Sequence, residues 1–419
     1  MKKYIPRIVD DVLKNKLEYM GAVLIEGCKW CGKSTTARQV AKSYLEFQDP
    51  DKKTQYDKTN QTKPSLFLEG EKPRLFDEWQ MYPVVWDSIR TDVDHTGLKG
   101  QYILTGSARP LEDSVMHTGT GRISKLLMRP MSLFESGESN GKVSLKDIID
   151  GKDIEGVSDI SFDNLINAMI RGGWPETLNI SGDNKYRIAK DYIKSLLNEG
   201  IKTLDGVERN SSKMSAVLRS ISRNISTNAS KATILDDVKN EFDGISRPTL
   251  DDYLNTLEKL YILEYIPATN LNLRSKTPLR VSPKLELVDP SLVIASLDLK
   301  KEDLINDLNF TGFIFENMCI RDLKIYADAM DATLSYYRDK NDFEVDCIMK
   351  MANGKWGAIE IRLGAGEISE AADNLNKFKE KVDTDKYGEP SFLIILTGAD
   401  YSYKREDGIC VVSIGTLRD

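Results

Sequence analysis

Histidine is nearly absent from this sequence: His95 and His117 are the only two, and their separation suits no paired metal ligand. Cysteine is also scarce. The five residues Cys28, Cys31, Cys319, Cys347 and Cys410 are odd in number and scattered, which excludes a disulfide scaffold and suits a reducing compartment. No apolar run approaches the roughly 20 residues that a bilayer-spanning helix needs. Residues Met1–Asp10 are charged and have no apolar core, so no secretory signal is expected there. Internal repeats and low-complexity tracts are missing too, which excludes solenoid architectures. A cytoplasmic protein with no membrane partner is the expectation.

Positive charge is lacking where a nucleic-acid footprint would show it. The net charge is −7 over 419 residues, and residues 283–419 carry 17 Lys and Arg against 26 Asp and Glu. Binding to a polyanion rests on Lys and Arg neutralising phosphates. The C-terminal third therefore gives nucleic acid little electrostatic welcome.

What is present begins with Gly27-Cys28-Lys29-Trp30-Cys31-Gly32-Lys33-Ser34, followed by Thr35. It fits the phosphate-binding pattern GxxxxGK[ST], after the apolar strand Ala22–Ile25 and before a helix expected from Ser34 to about Ser43. Backbone N–H groups of such a loop wrap phosphates at a helix N-terminus. Lys33 is expected to reach the β- and γ-phosphates of ATP, and the Ser34 hydroxyl to ligate Mg²⁺. Cys28 and Cys31 also spell CxxC, but no second pair completes a zinc site, so both are read as variable loop positions.

The second half of the site follows in Arg74-Leu75-Phe76-Asp77-Glu78-Trp79-Gln80. At a strand's end, Asp77 is placed to hold the Mg²⁺ shell and Glu78 to polarise an attacking water. A third strand, Tyr102–Leu104, runs into Thr105, Gly106 and Ser107; Thr105 or Ser107 is the candidate for sensing the γ-phosphate. Arg122, in a Gly-rich stretch after His117, is the candidate guanidinium for γ-phosphate charge, in cis or from a neighbouring subunit. Arg109 and Arg129 are weaker competitors. Alternation of strands and helices predicts an α/β fold with a doubly wound parallel sheet and functional groups at the strands' C-terminal ends.

Beyond this, Ser136–Asp163 is rich in Gly, Ser and charge and reads as a linker. From about Asn164 to Ser226 the periodicity is helical. Residues Ala232–Pro267 read helix, turn, helix, strand, the pattern of a winged helix, with Ser246 capping the second helix. Residues 231–282 hold seven basic against eight acidic side chains, so packing competes with DNA binding there. Gly172-Gly173-Trp174-Pro175-Glu176 reads as a turn that permits tight packing.

The series GCKWCGKST, LFDEWQMYP, YILTGSA, HTGTGRI, GGWPE, SPKLELVDPSL, EVDCIM, IEIRLG and KREDGICVV resembles the prokaryotic AAA-type ATPases with a C-terminal domain of unknown function, DUF4143. The resemblance spans roughly residues 5–419, with Cys28 where proline is usual. It implies a P-loop ATPase domain over 1–140, a linker and helical lid over 141–230, a winged-helix-like domain over 231–282, and DUF4143 over 283–419. The last is implied to have a restriction-endonuclease-like, PD-(D/E)xK fold.

A nuclease of that type holds a metal with an acid on one strand and Asp/Glu-x-Lys on the next. Asp346 and Glu360 occupy those places, and Glu316 is the candidate third ligand of this second metal site. Arg362 stands where lysine would activate water, and a guanidinium is a poor base. The expectation is thus an Mg²⁺-dependent ATPase whose C-terminal domain engages an unknown protein client. A nucleotide-regulated nuclease and an ATP-switched DNA-binding protein stay open as alternatives, and a homo-oligomer is compatible with the Arg122 reading.

Overall fold

The structure is a computed structural model that describes residues 4–107, 119–200, 207, 209–242, 244–269 and 282–419. It divides into two compact units. The first comprises Met1–Pro130, Glu199–Arg209 and Thr256–Ile262; the second comprises Met131–Asn198, Asn210–Asn255 and Leu263–Asp419. Among the described residues no helix is long and apolar enough to cross a membrane.

Five strands build the first unit: β1 (Ala22–Glu26), β2 (Ser43–Glu46), β3 (Arg74–Asp77), β4 (Tyr102–Gly106) and β5 (Ile123–Leu127). Their order is β2-β3-β4-β1-β5, and every pairing is parallel. In the centre, β1 and β4 are almost continuously apolar because helices cover both faces of such a sheet. Parallel pairing has one consequence for chemistry: all five strands end on the same edge. Beside the sheet lies an aromatic core of Phe47, Tyr56, Phe67, Phe76, Trp79, Tyr82 and Trp86. Each fully buried ring of this kind contributes roughly 1.5–3 kcal/mol.

The helix after the phosphate loop spans Lys33–Val40, shorter than expected, and β2 begins at Ser43, where the helix was expected to end. The four residues Ser-Tyr-Leu-Glu form an edge strand with no fully buried position, which erased the apolar signal.

The second unit holds β6 (Val143–Ser144), β7 (Glu155–Val157), β8 (Leu263–Ile266), β9 (Lys284–Leu287), β10 (Ala332–Arg338), β11 (Glu344–Met351), β12 (Trp356–Arg362), β13 (Phe392–Thr397), β14 (Tyr401–Lys404), β15 (Cys410–Ser413) and β16 (Leu417–Arg418). Seven of them form one mixed sheet, β10-β11-β12-β13-β15-β14-β7. Helix Leu308–Ala329 precedes β10, and helix Ile368–Lys381 joins β12 to the parallel strand β13. The latter helix packs Ala371, Ala372, Leu375 and Phe378 into the core with Val345, Ile348 and Ile395.

Two expectations about this unit need correction. The presumed linker Ser136–Asp163 supplies β7, which pairs with β14, and β6, which pairs with β16. Its polar composition reflects edge strands rather than a tether. The boundary placed before residue 283 also fails, because β8 and β9 are antiparallel partners on either side of it.

The glycines of Gly172-Gly173-Trp174 serve packing. A Cβ on Gly173 would lie 2.2 Å from the Met131 carbonyl oxygen, and Gly172 has a φ of +74°. Gly173 N–H donates to Asp289 at 2.9 Å, and Trp174 Nε1 donates to Ser291 Oγ at 2.9 Å. Arg321 donates to the same Asp289 carboxylate at 2.9 Å. Two sequence motifs far apart in the chain are thereby one buried clamp.

Candidate nucleotide site

At the end of β1 the chain enters the phosphate loop through Gly27, whose φ of +149° is available to glycine. Gly32 closes the loop in a left-handed conformation at φ +106°, and Lys33 then starts the helix. Trp30 also takes a left-handed φ of +66° with its ring exposed, while Lys29 and Thr35 are exposed. The Lys33 ammonium donates to the Gly27 and Cys28 carbonyls at 2.9 and 2.7 Å. Arg7 steadies the loop from beneath by donating to the Cys31 carbonyl at 2.9 Å.

Cys28 and Cys31 are fully buried within the loop and form no disulfide. Burial pushes the Cys31 thiol up, but Cys28, Lys33 and Arg7 outweigh it and bring it down to about 6.

Opposite the helix N-terminus, Asp77 ends β3. Its Oδ1 accepts from Ser34 Oγ at 2.6 Å and from Thr105 Oγ1 at 2.6 Å. Thr105 is fully buried on β4, the strand beside β3, where their register pairs it with Asp77. Glu78 follows in a left-handed conformation, with φ 55° and ψ 51°. Its Oε2 accepts from Gln80 Nε2 at 2.5 Å and from Ser107 Oγ at 3.2 Å. Lys33, Ser34, Asp77, Glu78, Thr105 and Ser107 therefore come from two strand ends and one helix start to a single edge. Gln80 was missed, because no motif marks it.

This donor set fits Mg²⁺. A hydroxyl and a carboxylate already converge on one hydrogen bond, and hard oxygen ligands beside a phosphate cradle are what that ion takes.

Arg122 lies elsewhere. Its carbonyl accepts from Ala22 N at 3.1 Å, which puts it at the N-terminal edge of the parallel sheet. The five-residue strand β5 separates it from the phosphate-loop edge by roughly 16 Å. Its guanidinium pairs with Asp94 at 2.6 Å. A cis role for Arg122 is thus corrected, since the strand direction carries it away from its own loop. Arg109 and His117 lie outside the described residues, and Arg129 is buried near the end of the first unit's segment Met1–Pro130.

In the second unit, the acids of the expected second metal site are matched with internal cations. Arg362 pairs with Asp346 at 2.9 Å and with Glu360 at 2.6 Å. Lys284, whose side chain is 1% exposed, pairs with Glu316 at 3.0 Å and Glu344 at 2.6 Å. Burial pushes the Glu316 carboxyl up to about 8 against the pull of Lys284. Burial would strip Lys284 of its proton, but Glu316, Asp346 and Glu344 hold it well above the usual lysine range. Among the described residues no group of three His, Cys, Asp or Glu side chains is arranged to hold a metal ion. The expected set Glu316, Asp346 and Glu360 is corrected accordingly: Lys284 and Arg362 take up its carboxylates.

Residues 20–136 match the model of an AAA domain, residues 162–303 a domain of unknown function (DUF8612), and residues 311–417 a domain of unknown function (DUF4143). No curated protein matches the chain. Among solved structures, the Walker-type ATPase of Pyrococcus abyssi is 15% identical over 69% of this chain and 94% of that one, with a TM-score of 0.42. The Orc1 protein of Aeropyrum pernix, in complex with DNA, is 12% identical over 74% of this chain and 97% of that one, at a TM-score of 0.26. A signal-transduction ATPase with a tetratricopeptide repeat sensor from Pyrococcus horikoshii is 12% identical over 78% of this chain and 48% of that one, at 0.27. The chain carries an N-terminal AAA-type P-loop ATPase domain and a C-terminal DUF4143 domain of unknown function.

Proposed function

We propose that the chain is an Mg²⁺-dependent ATPase whose C-terminal domain is a non-catalytic interaction module. The observation that carries this reading is the shared Asp77 Oδ1, which accepts from both Ser34 and Thr105. That oxygen ties the phosphate loop to the strand ends where hydrolytic groups are expected.

In this reading the loop amides cradle the phosphates, and Lys33 exchanges its loop carbonyls for the β- and γ-phosphates. Ser34 and Asp77 would hold Mg²⁺, which supplies neutralisation of charge on the phosphate oxygens. Glu78 orients a water whose oxygen bonds to the γ-phosphorus as the bond to the β-bridging oxygen breaks. The electron pair leaves with ADP, and the water's proton passes through Glu78 toward solvent or phosphate. Arg122, far from its own loop, is assigned to a neighbouring subunit's γ-phosphate, as an arginine acting in trans.

For the C-terminal domain, the order helix, β10, β11, β12, helix, β13 supports a restriction-endonuclease-like fold. Its acids are buried and matched with Lys284 and Arg362, which favours a relic site. The net charge of residues 283–419 favours a protein client over nucleic acid.

ATP binding and phosphate release with Mg²⁺ test the reading. Lys33→Ala should lose both, and Asp77→Asn should lose Mg²⁺-dependent turnover. Unchanged turnover in either variant would refute the assignment.

A further inference from the structure

Gln80 has no role in the motifs that carry the nucleotide site, yet its side-chain amide donates to the Glu78 carboxylate. We propose that Gln80 is a positioning residue for Glu78, aiming one carboxylate oxygen at the attacking water by holding the other. The proposal rests on the ATPase reading above and assigns the group through which Glu78 is oriented.

Three observations converge on it. First, Glu78 is in a left-handed conformation that a non-glycine residue adopts only when its surroundings impose it. The turn that follows, Trp79–Met81, is anchored by the buried Trp79 ring, stacked on Trp86 with centroids 4.9 Å apart. That turn brings the Gln80 side chain back over its second neighbour. Second, Gln80 Nε2 and Ser107 Oγ both donate to Oε2, and among the described residues no hydrogen bond reaches Oε1. Among the described residues the carboxylate is thus held through Oε2 alone.

Third, the surroundings of the carboxamide set its orientation. Gln80 Oε1 is buried and has no hydrogen-bond partner among the described residues. It lies 3.0 Å from where a Cβ on Gly106 would sit, so glycine at the end of β4 makes the room. The opposite amide orientation would place an oxygen against the Glu78 carboxylate, so the donor must face Glu78.

The test is phosphate release and ATP affinity in Gln80→Ala, alone and combined with Glu78→Gln. Gln80→Ala should lower kcat by about 10- to 100-fold, the scale of a misplaced catalytic group, with the Kd for ATP within twofold of wild type. That retained affinity reports a folded site. In the Glu78→Gln background, removing Gln80 should change the single-turnover rate less than twofold, because no carboxylate remains to be aimed. Wild-type kcat in Gln80→Ala, a raised kcat, or an equal loss in the Glu78→Gln background would overturn the proposal. Wild-type protein that binds ATP and releases no phosphate would instead overturn the ATPase reading, and this proposal with it.

Discussion

Asp77 Oδ1 is the point at which the nucleotide site is most sensitive to a single atom. Thr105→Val keeps the shape of a fully buried side chain and removes one of its two donors. A hydrogen bond to a charged group contributes about 1.5–3 kcal/mol, so turnover should fall roughly 10- to 100-fold with ATP still bound. A rate assay beside nucleotide titration checks this, and unchanged kcat would remove Thr105 from the site. Lys33, Ser34, Asp77, Glu78 and Thr105 were legible in the sequence because phosphate chemistry fixes their types and spacing. Gln80 was not. Its role depends on the left-handed backbone of Glu78 and the space left by Gly106, neither of which spacing encodes. The choice between a cis and a trans role for Arg122 was open in the sequence for a related reason: a strand's direction decides which edge an adjacent residue occupies.

The C-terminal strands and the helix Ile368–Lys381 were legible because they are long and regularly patterned. Strands β2, β6 and β7 have four, two and three residues, too few to show a period. The clamp joining Gly173, Trp174, Asp289 and Arg321 is also invisible in sequence, since its halves lie more than 100 residues apart. Gly173→Ala should destabilise the second unit by on the order of 3 kcal/mol, because the new Cβ meets backbone that cannot yield. Thermal unfolding should show it, while ATP affinity stays near wild type.

The buried acids predict a pH signature. Burial pushes the Glu316 carboxyl up from its ordinary 4.5 to about 8 in the folded state. Between those values the folded state keeps a proton that the unfolded chain releases, so this group costs stability as pH rises. The unfolding midpoint of wild type relative to Glu316→Gln should therefore fall between pH 4.5 and 8. A gap that stayed constant or widened would contradict that origin.

For the whole chain, composition said more about the C-terminal domain's partners than its motifs did. Residues 283–419 hold nine more acidic than basic side chains, and the acids of the expected second metal site are matched inside the fold. Purified protein with Mg²⁺ or Mn²⁺ is expected to leave DNA and RNA intact. Cleavage that disappeared in both Asp346→Ala and Glu360→Ala would reverse this assignment. If Arg122 acts in trans, specific activity should rise with protein concentration in wild type and lose that dependence in Arg122→Ala.

The most direct test of ATP hydrolysis at this edge of the sheet compares wild type with Glu78→Gln. Radiolabelled ATP and Mg²⁺ would be followed for bound nucleotide and for released phosphate in the same samples. Wild type should release phosphate steadily, whereas Glu78→Gln should retain intact ATP at stoichiometry near one per chain. Steady phosphate release by Glu78→Gln at the wild-type rate would contradict the site as assigned here.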